Sequence, residues 1–269
     1  MSDHAFDRAI ALSAQPDGSF LGRTSPDYGN MVGPYGGITA AQALNAVLLH
    51  PERQGEPVAY TVNYAAPVAD GAFTLHARPA RTNRSTQHWV IEMLQDSQTV
   101  LTATAFTALR RETWSAAEHT LPDVPAPADV ALPKDGPRVE WVRRYEMRFV
   151  QGGLPAAWDE REETLSRTQL WVRDNPPRPL DFASLTALSD VFFPRIWRRR
   201  ASRVPVGTVS MTVYFHADAA HLAATGTGYL LAQAQAQAFR KGYFDQTAQL
   251  WNEAGELVVA THQVVYYKG

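Results

Sequence analysis

Gly36 and Gly37 begin an apolar stretch of the chain, and they are the first residues whose type and position could support chemistry. If a helix starts there, its first backbone N–H groups lack partners within the helix, and a bound molecule can come close to the backbone. Those N–H groups could stabilise an oxyanion that forms when a carbonyl is attacked. Tyr35 ends the loop 30–35, which would cover this entrance, and is a third candidate for substrate binding. The alternative is that the glycines only let a loop and a helix pack closely.

Asp190 is a candidate general base because it interrupts an otherwise apolar stretch. Burial would raise the pKa of its carboxyl and suit it to activate water. The alternative is an exposed acid on the outer edge of a helix. The amides of Gln237 and Gln263 could orient a water or a carbonyl group. For Gln237, the alternative is a solvated polar face of a strand.

A basic run of five arginines surrounds Trp197, at positions 195, 198, 199, 200 and 203. Guanidinium groups bind phosphates through paired hydrogen bonds, so Arg198, Arg199 and Arg200 are candidate ligands for a phosphate-bearing molecule. A solvated loop is the ordinary explanation of such a run.

The composition excludes several kinds of site. The 269 residues contain no cysteine, which removes disulfides, thiolate nucleophiles and thiolate metal sites. The eight histidines have no metal-binding spacing, and the glycine motifs of P-loops, dinucleotide sites and serine hydrolases are missing, so neither a metal nor a cofactor is expected. His216 and His262 could be catalytic, but a histidine beside aromatic strand residues is more often structural.

Charge and hydropathy limit the partners and the location. A formal net charge of -2 gives no general attraction to nucleic acid or to anionic membranes. No stretch reaches the roughly 18 apolar residues of a membrane span, and the N-terminus does not read as a secretion signal. We therefore expect a cytoplasmic protein.

A proline-rich stretch divides the chain. Prolines at 122, 125, 127, 133 and 137 predict an extended linker. We predict an N-terminal repeat over 1–115, a linker over 116–138 and a C-terminal repeat over 139–269. A weak duplication supports this division, because 100–106 resembles 257–263 and 61–64 resembles 212–215. The first comparison sets Phe106 against Gln263, which suggests a one-sided site.

Each repeat is predicted to contain one buried helix followed by antiparallel strands. Residues 37–49 are apolar around most of a helix, and residues 180–193 form a second candidate that Asp181 could cap. Strands are predicted at 58–68, 72–82, 87–95 and 99–110, then at 206–217, 229–239, 243–252 and 257–267. A sheet curved around one apolar helix, twice in one chain, is an α+β double hotdog fold.

Five motifs occur in order along the chain: 36–44 (GGITAAQAL), 171–173 (WVR), 188–190 (LSD), 208–216 (TVSMTVYFH) and 255–263 (GELVVATHQ). In them the sequence resembles the acyl-CoA thioesterase II-like family of double-hotdog proteins. The likeness covers most of the chain apart from the linker and the first 15 residues. The order of the motifs, rather than any single one, identifies the family.

The resemblance implies hydrolysis of acyl-CoA to a free acid and CoA, and a place in lipid metabolism. The family looks to hold the attacking water with an Asp, a Thr or Ser, and a Gln of the second hotdog. Gln263 matches the Gln, but Ser210 stands where the Asp is expected and Gln237 where the Thr or Ser is expected. Either Asp190 supplies the charge, or hydrolysis is slow, or acyl-CoA is bound without cleavage.

We predict that Gly36 and Gly37 polarise the thioester carbonyl, that Asp190 is the base, and that Gln263 with Gln237 places the water. A third possibility is an enoyl-CoA hydratase, which would need an Asp–His pair that the sequence does not suggest. Exposed strand edges invite further pairing, so a homodimer or a larger assembly is also expected.

Overall fold

The computed structural model describes residues 3–134 and 139–268, which form a sheet of thirteen strands and five α-helices. The strands are β1 (Ser13–Ala14), β2 (Phe20–Arg23), β3 (Glu56–Tyr64), β4 (Ala72–Thr82), β5 (Thr86–Gln95), β6 (Gln98–Ala108), β7 (Tyr145–Gln151), β8 (Thr168–Asp174), β9 (Val206–Phe215), β10 (Leu230–Gln235), β11 (Phe239–Arg240), β12 (Tyr243–Asn252) and β13 (Leu257–Tyr267). The helices are α1 (Ala5–Ala9), α2 (Gly36–Leu48), α3 (Phe182–Leu188), α4 (Arg195–Arg200) and α5 (Ala219–Thr225), and 3-10 turns lie at Pro26–Tyr28, Pro127–Asp129 and Glu140–Arg144.

The strand order repeats across the middle of the sheet. The first half runs β1-β2-β4-β5-β6-β3 and the second runs β9-β13-β12-β10-β8-β7, with β3 beside β9 at the seam and β11 paired to β12. Thr61 lies directly opposite Thr212 on this seam, and their hydroxyl oxygens are 3.0 Å apart. Each half therefore carries the same succession of strands, and the predicted double hotdog is confirmed.

α2 is the central helix of the first half, and it is buried on nearly all sides. Alanines along its length, among them Ala40, Ala41 and Ala43, have no exposed surface. Small side chains let the strands come close to the helix from several directions. The Tyr60 hydroxyl, from β3, donates to the Ala40 carbonyl at 3.0 Å. The predicted buried helix over 37–49 is confirmed, with each end one residue earlier.

α3 is the matching helix of the second half, and its start was predicted correctly. The Asp181 carboxylate accepts a hydrogen bond from the Ser184 N–H, and the Ser184 hydroxyl accepts one from the Asp181 N–H. This reciprocal pair is a capping box, which satisfies two N–H groups that would otherwise lack partners.

The end of α3 was predicted wrongly, because the helix stops at Leu188 rather than near residue 193. The Ser189 hydroxyl donates to the Leu185 carbonyl at 2.8 Å, and the Asp190 N–H bonds to the Ala187 carbonyl at 3.1 Å. The Asp190–Ala187 bond spans three residues instead of the four of an α-helix, so the last turn is tighter and the helix ends there. Asp190 consequently lies in the turn after the helix rather than on one of its faces.

The alternating alanines and glutamines after residue 230 form strand β10, as predicted. The strand ends at Gln235, whereas the prediction ran on to residue 239. Gln237 therefore lies beyond the strand, in the short connection that precedes β11.

The strand register corrects the predicted partner of Gln263. On β9 and β13, Met211 lies opposite Gln263, and on the corresponding strands of the first half Tyr60 lies opposite Ala105. Tyr60 and Met211 each come one residue before the paired seam threonines, Thr61 and Thr212. Their strand partners, Ala105 and Gln263, therefore occupy corresponding places in the two halves. Phe106 points the other way, toward His88, whose ring centroid is 4.8 Å from its own.

The proline-rich segment packs on the second half of the sheet. The indole N–H of Trp171 donates to the Pro125 carbonyl at 2.9 Å, and that of Trp251 donates to the His119 carbonyl at 3.2 Å. The segment described between β6 and β7 contains no strand, as expected of proline-rich chain. Pro137, the last of the five prolines, lies outside the described residues.

Candidate active site

Asp190 meets the start of α2 and the amide of Gln263. Gln263 Nε2 donates to Asp190 Oδ1 at 2.8 Å, and the Gly37 N–H also bonds to the carboxylate. A Cβ placed on Gly36 would stand 2.8 Å from Asp190 Oδ2, closer than a real Cβ can approach. The first half thus supplies a helix start without side chains, and the second half supplies the acid and the amide that face it.

The environment of Asp190 raises the pKa of its carboxyl to about 7. Burial is the main cause, because it removes water from the charged form. The hydrogen bonds from Gln263 and Gly37 act in the opposite direction and limit the rise. A carboxyl that titrates near neutral pH can accept a proton from water and return it within one reaction cycle.

The two glycines serve close packing as well as any chemistry. A Cβ on Gly37 would lie 2.6 Å from the Ala187 carbonyl oxygen and 2.5 Å from the Tyr35 ring. No side chain caps the start of α2, where Tyr35 is the capping residue. The Gly37 N–H is turned toward the Asp190 carboxylate, so in this structure it is used by the acid.

Two tyrosine hydroxyls hold the backbone on either side of Asp190. The Tyr35 hydroxyl donates to the Ala187 carbonyl at 2.6 Å, and its ring stacks on Trp141 with centroids 4.3 Å apart. The Tyr64 hydroxyl donates to the Gly36 carbonyl at 2.8 Å. Tyr35 was expected to bind substrate, but its hydroxyl donates to the turn that carries Asp190. Tyr64 was not singled out in the sequence.

Gln237 and Ser210 do not join this group. Gln237 is exposed, and its side-chain amide donates to the Thr247 hydroxyl at 2.8 Å. Ser210 lies opposite Val264, which is 41% exposed. Directly opposed residues of antiparallel strands point to the same side of the sheet, so Ser210 faces away from the helices. The expectation that these two residues take the Asp and Thr places is not met by this geometry.

Thr208 is a hydroxyl residue of the cavity wall that the sequence analysis did not single out. It lies opposite Val265, which is only 6% exposed, and it lines the same cavity as Asp190 and Gln263. Between Thr208 and Ser210 the pairing with β13 shifts by a β-bulge. Such a bulge adds one residue and turns the following side chains to the other face. Gly207 next to it is the one sequence sign of an irregular strand.

A cavity of about 1510 Å³ lies beside Asp190. Its walls are predominantly apolar, and Trp141, Phe149, Phe192, Phe193, Val206 and Val265 are among the lining residues. The polar groups include Asp190, Thr208 and Gln263. An apolar chamber with a few converging polar groups is the usual form of a small-molecule site.

The arginines proposed as phosphate ligands lie elsewhere. Arg199 and Arg200 approach the Glu162 carboxylate at 3.5 and 3.6 Å, and Arg198 approaches Glu163 at 3.7 Å. Arg199 and Arg200 line a separate cavity of about 420 Å³, together with Glu162. The structure therefore does not bring Arg198, Arg199 or Arg200 to the wall of the cavity that contains Asp190.

The histidines also lie outside the cavity wall. His262 is exposed, with Nε2 3.1 Å from Asp245 Oδ2. Burial lowers the pKa of His216, which is the direction expected for a structural histidine. Within 3–134 and 139–268, no group of three or more acidic or histidine side chains could hold a metal ion. No helix among these residues is long and apolar enough to cross a membrane.

The fold and the site together define a double-hotdog protein in which one half presents a bare helix start and the other presents an acid and an amide. The chain belongs to the acyl-CoA thioesterase family: the N-terminal domain of the family matches residues 24–108 and the C-terminal domain matches residues 118–267. Its function is accordingly acyl-CoA thioesterase-like, and the resemblance found in the five motifs is confirmed.

Solved structures agree on the fold. A conserved protein of unknown function with a hot dog fold from Alicyclobacillus acidocaldarius is 47% identical, with a TM-score of 0.94 over 100% of this chain and 99% of that one. A putative thioesterase II from Thermobifida fusca is 18% identical, with a TM-score of 0.82 over 100% of both chains. The TesB protein of Mycobacterium avium subs paratuberculosis is 17% identical, with a TM-score of 0.78 over 98% of both. Among proteins with curated functions, none matches this chain.

Proposed function

We propose that this protein hydrolyses acyl-CoA with a water that Asp190 activates and that Gln263 and Thr208 hold in place. The observation that carries the proposal is the 2.8 Å hydrogen bond from Gln263 to Asp190 at the start of α2, on the wall of an apolar cavity. An Asp, a Thr and a Gln of the second half then fill the pattern that the family resemblance implies.

The proposed reaction begins with attack on the thioester carbonyl. The water oxygen bonds to the carbonyl carbon while one of its protons passes to Asp190, and negative charge moves to the carbonyl oxygen. As the carbonyl re-forms, the carbon–sulfur bond breaks and its electron pair leaves with sulfur. The proton on Asp190 passes to the departing sulfur, which yields the free acid and CoA and restores the carboxylate.

The start of α2 is the proposed support for the oxyanion. No side chain caps this helix, and the glycines leave the backbone open to a bound carbonyl. In the resting protein the Gly37 N–H bonds to Asp190, so it becomes available as the acid takes its proton and loses its charge. The positive end of the helix favours negative charge throughout this step.

The alternative of binding without cleavage rested on a missing carboxylate. Asp190 supplies a carboxylate on the cavity wall, bonded to Gln263, so that reason is removed. A hydratase would need an Asp–His pair beside the substrate. Asp218 with His221 and Asp245 with His262 do not line this cavity, and no histidine of the described residues is part of its wall.

We also propose a cytoplasmic location, a role in lipid metabolism and assembly into a homodimer or larger. The net charge of -2 supports the proposal that neither nucleic acid nor membrane is a partner. On the outer face of the sheet, β9 and β13 expose Tyr214 and Val264, which could pack against a second copy. Light scattering across a concentration series would test the assembly.

A thiol assay tests the enzymatic proposal directly. Acyl-CoAs of increasing chain length are incubated with the protein, and a thiol reagent reports the CoA released. The chain contains no cysteine, so the reagent responds to CoA alone. We expect turnover with at least one chain length. Release at the background rate with every substrate would refute hydrolysis, and calorimetric titration with CoA would then test the binding alternative.

A further inference from the structure

Arg203 lines the same cavity as Asp190 and differs from the arginines that precede it. Its guanidinium carbon lies 4.7 Å from the centroid of the Trp158 ring, and the residue is exposed. Trp158 in turn meets Trp197 edge to face, with centroids 5.8 Å apart. A guanidinium over an indole gains cation–π attraction and keeps its N–H groups free for an acceptor.

No carboxylate of the described part of the chain lies within ion-pair distance of Arg203. Arg199 and Arg200, which have Glu162, present the opposite case. An unpaired guanidinium on a cavity wall is suited to an anionic ligand, because no internal ion pair must be broken when the ligand binds.

The other charges on the wall leave the accessible part of the cavity basic. Lys134 lines it together with Arg203, and so does Arg143, which is paired with Glu140 at 3.3 Å. Of the two acids, Asp190 is the proposed base, half-buried and bonded to Gln263. Glu146 is occupied by Arg148 and Arg173, at 2.6 and 2.7 Å. Positive charge at the exposed residues Lys134 and Arg203 would attract a polyanion to this part of the cavity.

The chain places Arg203 at a useful distance from the reacting atoms. It stands five residues before Thr208, and an extended segment of that length spans at most about 17 Å. Val206 lies between them in the sequence, on the same strand as Thr208 (β9), and it also lines the cavity. A thioester at Asp190 could therefore extend its pantetheine arm along β9 and bring its phosphates to Arg203.

We propose that Arg203, supported by Trp158, binds the phosphates of the CoA nucleotide and makes the site selective for CoA over thiols that lack it. The inference rests on the proposed function, because it assigns the far end of the same substrate. It replaces the phosphate site first expected at Arg198, Arg199 and Arg200.

Calorimetric titration with CoA tests the assignment without requiring turnover. Arg203→Glu should raise the Kd for CoA by about tenfold or more, since it removes a charge-assisted bond and adds repulsion. Arg203→Lys keeps the charge but not the fork and should give an intermediate value. Arg200→Glu makes the same change of charge beside Glu162 and should leave the Kd near that of the wild type. Circular dichroism confirms that each variant is folded.

Kinetics with a truncated substrate separates this inference from the proposed function. If the protein hydrolyses acyl-CoA, Arg203→Glu should raise the KM for acyl-CoA. The KM for the same acyl group carried on pantetheine should stay unchanged. A CoA Kd unaltered by Arg203→Glu, or an equal rise of both KM values, would overturn the role of Arg203 while leaving hydrolysis intact. Absence of turnover in the wild type would instead remove the proposed function, and the CoA titration would still decide the phosphate site.

Discussion

The start of α2 and the start of α3 occupy corresponding places in the two halves, but they are built differently. α2 begins with two glycines and no side-chain cap. α3 begins with the Asp181–Ser184 capping box, and Asp181 also pairs with Arg178 at 2.5 Å. The N–H groups of α3 are therefore satisfied from within their own half, whereas those of α2 can face an acid of the other half.

The strands and helix ends differ in the same sense. Gln263 faces the helices in the second half, and Ala105 takes that place in the first. α3 stops at Leu188 and leads into Asp190, while the corresponding helix continues to Leu48. A hotdog half needs only a buried helix and an apolar inner face to be stable. Gln263 and Asp190 thus face the start of α2, whereas Ala105 and the Asp181–Ser184 capping box occupy the corresponding places of the other half-site.

Among changes to the groups that distinguish the two halves, removal of the Asp190 acid should lower kcat the most. Asp190→Asn should lower kcat by about 1,000-fold, because an amide cannot take a proton from water. The Kd for CoA should stay near the wild-type value, since Asn can still accept the hydrogen bond of Gln263. Thiol release and calorimetry measure the two quantities.

Asp174 provides the matched control for loss of a buried carboxyl. Burial raises its pKa to about 7, as for Asp190, but it does not line the cavity. Asp174→Asn should keep turnover within a few-fold of the wild type. Equal loss in the two variants would show that buried charge in general, rather than the acid facing α2, supports activity.

Loss of the amide should come second. Gln263→Met keeps the side-chain length but removes the donor to Asp190, and kcat should fall by about 100-fold. The lost hydrogen bond stabilises the ionised carboxyl, so the pKa of Asp190 should rise as well. A pH profile displaced toward alkaline pH, together with the lower kcat, distinguishes this role from a packing defect. Wild-type rates would remove Gln263 from the site.

The acid limb of the wild-type pH profile should lie near pH 7. Asp190 acts as a base only when ionised, and burial raises its pKa to about 7. Activity should therefore fall by about tenfold for each pH unit below that value and level off above it. Steady-state rates between pH 5 and 9 on a good substrate would check this. A limb near pH 4 would mean that an exposed carboxyl is the base.

The frame of the molecule follows from local rules and was predictable. The apolar circumference of α2, the cap at Asp181 and the alternating strands all depend on neighbours in the sequence, and each was found close to its predicted place. Asp190 could be singled out because a carboxylate in an apolar stretch is uncommon, whatever the exact end of the helix.

The rest of the site depends on register, which neighbouring residues do not determine. A bulge in β9 turns Thr208 inward and Ser210 outward, and an alignment that sets Ser210 at the place of the family's Asp cannot detect it. Gln237 lies away from the site because β10 ends two residues before it. The partners of the arginine run could not be predicted either, because Glu162 and Glu163 lie on a distant segment of the chain.

The bulge makes a direct comparison between two near neighbours possible. Thr208→Val preserves shape but removes the hydroxyl from the cavity wall, and kcat should fall by about tenfold, the cost of one lost hydrogen bond to the water. Ser210→Ala removes a hydroxyl from the outer face and should leave kcat unchanged. A larger loss from Ser210→Ala would mean that the strand register, and with it the role of Thr208, is wrong.

The smallest expected effect concerns stability, and its sign is opposite to the loss of activity. Burial raises the pKa of Asp190 from 3.8 to about 7, so between these values the folded protein keeps a proton that the unfolded chain has released. Stability therefore falls as pH rises through this window, and the penalty is complete above it.

Asp190→Asn carries no charge and should melt a few degrees above the wild type at pH 8. The gain should shrink toward pH 4, where the wild-type carboxyl is protonated in the folded state. A gain of equal size at both pH values would show that charge burial is not its cause, and would weaken the case for Asp190 as a base held at the cost of stability.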